Sequence, residues 1–171
     1  VQIEILNCGV CHSDLHTARN EWAETLVETT YPVVPGHEIV GRIDALGAGV
    51  TTFALGERVG VPWLGFTCGE CGPCRRGLEN LCDRARMTGY QLDGGYAEST
   101  LADARFCFAL PDAYDDVEAA PLLCAGLIGH RALRIAGSGA RIGLYGFGAA
   151  AHIVAQVARF EGREVFAFTR P

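Results

Sequence analysis

The chain opens on "VQIEIL" (Val1–Leu6), where apolar and polar side chains alternate with a period of two, the pattern of a strand with one buried face. Similar segments, punctuated by glycine and proline, recur as "EIVGRIDALG" (Glu38–Gly47) and "ERVGVP" (Glu57–Pro62), with the "GAG" turn at Gly47–Gly49 between them. "GGYAESTLA" (Gly94–Ala102) is a further strand candidate, opened by a Gly-Gly turn. This spacing predicts a strongly bent all-β unit or partly open barrel running to about Leu123. The period then changes. "VEAAPLLCAGLIGHRALRIAG" (Val117–Gly137) carries apolar residues at helical spacing and ends on a glycine suited to stop a helix. The remainder, "ARIGLYGFGAAAHIVAQVARFEGREVFAFTR", reads strand, tight glycine turn, amphipathic helix, strand: one βαβ unit. Two parallel strands leave edges and a sheet face bare, and Val1 already lies within a strand pattern, so the sequence is expected to be truncated at both ends.

Composition narrows the function classes. Of 171 residues, 49% are apolar and 20% charged, which describes a soluble globular chain rather than a disordered one. A net charge of −6 argues against nucleic acid or an anionic membrane as the main partner. No apolar run approaches the ~20 residues of a membrane-spanning helix. Eight cysteines without a secretory signal favour metal binding over a disulfide framework, given a reducing compartment, and the setting expected is cytoplasmic.

Four of those cysteines are concentrated in "FTCGECGPCRRGLENLCD" (Phe66–Asp83). Cys68, Cys71, Cys74 and Cys82 follow the spacing C-x2-C-x2-C-x7-C, with Gly69, Gly72 and Pro73 permitting tight turns between them. Four thiolates at about 2.3 Å with no open position form a structural zinc site. A four-sulfur iron–sulfur cluster is the rival reading, although its cysteine runs usually space the last ligand differently. Further candidate ligands are scattered through "CGVCHSDLH" (Cys8–His16), "PGHE" (Pro35–Glu38) and "PLLCAG" (Pro121–Gly126). Catalytic zinc needs three protein ligands and an open position, and Cys2His is one such set. Taken singly, Cys124 reads as a buried core cysteine and His37 as a turn residue.

"GVCHSDLH", "GHE", the four-cysteine lobe, "APLLCAG" and "GFGAAA" occur in the order found in the zinc-dependent medium-chain alcohol dehydrogenases, which the chain resembles over essentially its whole length. The resemblance implies an α+β and α/β architecture. A GroES-like bent β-barrel catalytic domain would occupy 1–123, with the structural-zinc lobe at about 66–83. The linking helix and first βαβ unit of an incomplete Rossmann domain would occupy 124–171. It assigns Cys11, His37 and Cys124 to catalytic zinc and Cys68, Cys71, Cys74 and Cys82 to structural zinc. Asp14 becomes the carboxylate that accepts the second ring N–H of His37; from sequence alone it reads equally as a helix-start cap. Glu38 resembles the family's glutamate close behind the metal. Ser13 and His16 match a relay that carries the alcohol proton through the cofactor ribose to an imidazole near solvent. Cys8 and Cys107 match no ligand position and read as small buried hydrophobes. His130 and His152 fall on predicted helices as packing or surface residues.

The implied cofactor is NAD(P). "GFGAAA" (Gly146–Ala151) follows a strand and opens a helix, so Gly146, Phe147, Gly148 and Ala149 form the turn on which a pyrophosphate sits. His12 resembles the family's basic phosphate contact. Where NAD-preferring relatives place an acidic residue, this chain has Thr169 followed by Arg170, which tilts the expectation toward NADP. Trp22, Trp63 and Leu64 align with the alcohol pocket and suggest a narrow site. Ile128 stands where many relatives carry threonine. The implied activity is interconversion of alcohols and aldehydes or ketones, by a homodimer or homotetramer, with the 171-residue chain alone only weakly active or inactive. The competing readings are a non-catalytic zinc-ribbon module and a catalytically silent relative.

Overall fold

In the computed structural model, which describes residues 1–22, 29 and 31–170, the alternating N-terminal segment forms β1 (Gln2–Cys8) and leads into the short helix α1 (His12–Ala18). β2 (Ile39–Ala45) and β3 (Arg58–Val61) follow, then β4 (Leu64–Phe66), helix α2 (Gly72–Arg75), β5 (Arg86–Met87), β6 (Ser99–Leu101) and β7 (Phe108–Ala109). Five of these strands make one antiparallel sheet in the order β6-β1-β2-β3-β7, while β4 and β5 pair separately. The five-stranded sheet is open, because its edge strands β6 and β7 are three and two residues long and do not pair with each other.

β2 is the centre of this first unit, Val1–Leu123. Its neighbours Ile39 and Val40 point to opposite faces and both are fully buried. One face packs Ile39 and Ile43 with Ile3, Val59, Val61 and Cys107. The other packs Val40 with Ala119, Ala120 and Leu123, which come from helix α3 (Asp116–Ala119) and the 3-10 turn that follows it. Each buried Ile, Val or Leu among these stabilises the fold by roughly 1.5–3 kcal/mol relative to exposure. Cys107 is buried in the core and Cys8 packs half-buried against it, as their apolar reading requires.

Two expectations change here. The strand read over Gly94–Ala102 is confined to Ser99–Leu101. Gly94, Gly95 and Tyr96 instead donate backbone hydrogen bonds to Val34, Gly36 and Pro35 at 2.7, 2.9 and 3.0 Å. The continuous helical pattern over 117–137 is divided into α3, a 3-10 turn at Ala120–Leu123, and α4 (Ala125–Ile135). Pro121 has no N–H to continue the ladder, and Cys124 (φ −126°, ψ −79°) has left helical geometry. Gly137, at φ 80°, follows the end of α4 as its terminator.

The second unit, Cys124–Pro171, holds α4 and the βαβ unit. β8 (Arg141–Tyr145) and β9 (Glu164–Phe168) are parallel in register Arg141↔Glu164, and α5 (Ala149–Phe160) connects them. Leu133, Val154 and Ala158 form its core with Ile142, Leu144, Val157 and Val165 packed around them. His130 and His152 are exposed on α4 and α5. No helix among the described residues is long and apolar enough to cross a membrane.

Candidate metal centres and their surroundings

Strand pairing builds the sparse centre. The ladder between β1 and β2 ends with Cys8 opposite Ile39 and is prolonged by a Gly9 N–H to Glu38 carbonyl bond of 3.0 Å. Cys11 lies three residues beyond Cys8, and Glu38 and His37 lie one and two residues before Ile39, so an antiparallel pair delivers all three to the same end of the sheet. The Cys11 sulfur, a His37 ring nitrogen and a Glu38 carboxylate oxygen lie within 4.8 Å of one another. His37 and Glu38 are buried at 1% and 5% exposure.

Asp14 bonds both to the start of α1 and to the His37 ring. As part of the capping box of α1 it accepts the Cys11 N–H on Oδ2 at 2.8 Å, while the Ser13 N–H points at the Cys11 sulfur at 3.5 Å. Through Oδ1 it pairs with His37 Nδ1 at 3.0 Å and accepts the Gly36 N–H at 3.2 Å. This occupies Nδ1, so a metal at this end of the sheet would meet His37 through Nε2. Burial acts to raise the Asp14 carboxyl, but hydrogen bonds from His37, the Cys11 backbone and Tyr96 hold it below the usual range. Burial likewise acts to lower His37, and the Asp14 hydrogen bond and charge more than offset it, so the ring is raised.

The backbone before His37 is closely enclosed. Gly36 has φ +98°, and a Cβ there would lie 2.8 Å from the Cys8 sulfur and 2.9 Å from the Tyr96 ring. A Cβ on Gly94 would lie 2.1 Å from the Gly36 carbonyl oxygen. Only glycine lets these two chain segments touch.

Beside His37 stands a wall of aromatic rings. Trp63 meets the imidazole at 4.9 Å, and Trp22 meets Trp63 edge-on at 6.1 Å. Tyr90 packs against both tryptophans, at 5.8 and 6.0 Å, and is almost fully buried, with no hydrogen-bond partner for its hydroxyl among the described residues. Tyr90 was not singled out by sequence, since an aromatic residue in "TGYQLDGG" carries no periodic or motif signal. Leu64 begins β4 and pairs with Met87. Ser13 and His16 lie three apart on α1 and so share a face. His16 contacts Glu21 through Nδ1, and its ring lies 4.6 Å from His12 and 5.1 Å from Trp22.

The dense cluster is assembled as its spacing predicts. The sulfurs of Cys68, Cys71, Cys74 and Cys82 all lie within 4.8 Å of one another. Cys68 is 3.9 Å from Cys74 and 3.6 Å from Cys82. A tetrahedron with metal–sulfur bonds of about 2.3 Å has edges of roughly 3.8 Å, so the four sulfurs fit zinc. Backbone N–H groups of Cys71, Cys68 and Arg84 point at these sulfurs at 3.4, 3.4 and 3.3 Å. Backbone hydrogen bonds from residues 70 and 71 draw the Cys68 thiol down to about 6, whereas burial pushes Cys74 up to about 12. The first site among these sulfurs is thus already inclined to be a thiolate, the form that binds metal.

In the second unit Cys124 precedes α4, directly after the buried Leu123. Gly146, at φ +89°, makes the turn after β8, and its N–H bonds to the Phe168 carbonyl at 2.8 Å. Gly148 caps α5, Ala149 begins it, and its first turn carries no acidic side chain. The Phe147 ring meets the His152 ring edge-on at 5.6 Å. Thr169 and Arg170 follow β9 and are exposed.

Comparison with known proteins agrees with this architecture. The alcohol dehydrogenase GroES-like domain family matches residues 1–112. A Mycobacterium tuberculosis (strain CDC 1551 / Oshkosh) protein named "Probable alcohol dehydrogenase AdhA" is 49% identical over 170 residues, covering 95% of this chain and 48% of that protein. An alcohol dehydrogenase of Geobacillus stearothermophilus is 43% identical over 169 residues, covering 98% of this chain and 49% of its own length. Among solved structures, CAD from Helicobacter pylori complexed with NADP(H) superposes with a TM-score of 0.89 at 35% identity, covering all of this chain and 51% of that one. The chain therefore spans about half the length of the curated relatives it matches. With the fold, the matched domain and these identities in agreement, the chain belongs to the zinc-type medium-chain alcohol dehydrogenase family.

Proposed function

We propose that this chain carries the catalytic zinc site, the structural zinc site and the first part of the cofactor site of an oxidoreductase that interconverts alcohols and aldehydes or ketones with NAD(P). The observation that carries the reading is the His37 ring, buried at 1% exposure, fixed through Nδ1 by Asp14, and brought beside Cys11 and Glu38 under an aromatic wall. Cys11, His37 and Cys124 are the proposed ligands. Support for Cys124 comes from chain continuity: Leu123, its neighbour, is buried against Val40, two residues beyond Glu38. When bound there, zinc supplies a Lewis acid that polarises the substrate oxygen.

The chain's own residues do the rest. Asp14 fixes which His37 nitrogen faces the metal. Ser13 and His16, one turn apart on α1, are placed to pass a proton toward solvent, where His16 meets Glu21. Trp22, Trp63 and Leu64 shape the alcohol pocket, and Tyr90 joins their wall. Gly146, Phe147, Gly148 and Ala149 present backbone N–H groups and a helix N-terminus to the pyrophosphate, with His12 as a basic contact. Thr169 and Arg170 offer a 2′-phosphate a guanidinium and no opposing carboxylate, which favours NADP.

Zinc content tests the reading directly. Two ions per chain are expected, one lost on Cys11→Ser with loss of turnover, the other only on substitution in the 68–82 lobe. A single lobe-bound ion would instead identify a zinc-ribbon module. Cofactor preference is read from kcat/KM with each nucleotide in the longest natural form of the protein, and a strong NAD preference would remove the NADP assignment.

A further inference from the structure

We infer that Tyr96 is a positioning residue of the sparse zinc centre: its hydroxyl clamps the carboxylate that sets the His37 ring. The inference rests on the zinc reading above and adds a residue that neither motif nor spacing indicates. Tyr96 donates to Asp14 Oδ2 at 2.8 Å, the same oxygen that accepts the Cys11 N–H at 2.8 Å. Oδ1 receives His37 at 3.0 Å and Gly36 at 3.2 Å. An ionised carboxylate offers about four acceptor positions, and here four donors from four residues fill them. The carboxylate plane is therefore fixed from both oxygens, and with it the tautomer and tilt of His37.

Tyr96 reaches this carboxylate because its own backbone is tied to the segment it supports. The Gly94–Tyr96 stretch bonds to the carbonyls of Val34, Gly36 and Pro35, and the phenol ring lies against Gly36. The hydroxyl also lies 3.3 Å from the Gly9 carbonyl, on the stretch that leads into Cys11. One side chain thus contacts the approach to each of two proposed ligands. Without the hydroxyl, Oδ2 retains, among the described residues, only the Cys11 N–H, and the carboxylate gains freedom to rotate away from His37.

Outer partners of metal ligands contribute about 10- to 100-fold to affinity. The test is Tyr96→Phe, which keeps the ring and its packing, in the full zinc-loaded protein. Zinc release to a chromophoric chelator is followed with time, and His37→Ala identifies the phase that belongs to the sparse centre. The expected result is release about tenfold faster in that phase, at the low end of the range, with the phase from the four-cysteine lobe unchanged. An unchanged rate in the sparse-centre phase would overturn the inference. So would equal acceleration of both phases, which would mark a general structural role. If the wild-type protein shows no phase removable by His37→Ala, the zinc reading itself fails, and that result is distinct from the other two.

Discussion

At the scale of single residues, the site depends on groups with more than one task. Asp14 caps a helix and orients an imidazole; Gly36 and Gly94 exist where they do because two backbones touch. Tyr90 is a different case. Its hydroxyl is buried without a partner among the described residues, and a buried group left unpaired forfeits about 1–3 kcal/mol of desolvation that no hydrogen bond returns. Tyr90→Phe retains the ring contacts with Trp22 and Trp63, so thermal unfolding of the metal-loaded protein should show stability unchanged or raised by about 1 kcal/mol. A clear loss of stability would mean that the hydroxyl has a partner after all.

At the scale of elements, strands were more legible than helices. The period of two in Val1–Leu6 survives as β1, whose Ile3 and Ile5 face one core, whereas β2 buries Ile39 and Ile43 on one face and Val40 on the other. Helix α1 has seven residues, too few for an apolar period, and its start is marked by a cysteine rather than by a conventional cap. The continuous helical pattern at 117–137 concealed the break at Pro121 and Cys124, since apolar spacing is blind to a missing N–H. The sulfur lobe was legible from spacing alone, because few other side chains could shape it. Within 68–82 the buried residues are Cys74 and Cys82, while Leu81 is 55% exposed. Cys82→Ser, or a chelator strong enough to strip the lobe, should therefore make the 68–82 segment the first target of limited proteolysis. Fragments should end within this lobe while β1–β3 stay protected; cleavage spread evenly along the chain would contradict this account.

At the scale of the whole molecule, the second unit presents a sheet of two parallel strands, with Tyr145 86% exposed and stacked on Phe168 at 4.8 Å. Parallel sheets are normally covered on both faces, and the relatives are about twice as long as this chain. Acid stability should be governed in part by Asp103, whose carboxyl is held below its usual range chiefly by the hydrogen bond from Arg105. A depressed folded-state pKa stabilises above the unfolded value, near 3.9, and that contribution disappears as pH falls through the folded value. Asp103→Asn should thus lower the Tm at pH 7 relative to wild type, with the difference between the two vanishing once the pH has fallen through the folded-state pKa. A constant offset at every pH would assign the effect to packing instead. The four-donor grip of Asp14 has a further consequence, for cooperativity. The amides of Cys11 and Gly36 belong to segments 25 residues apart, yet both end on the same carboxylate. Fraying of the first turn of α1 and loosening of the loop before β2 then become one opening event rather than two. A helix end, normally the first part of a fold to loosen, is here tied to one of the most buried positions in the chain.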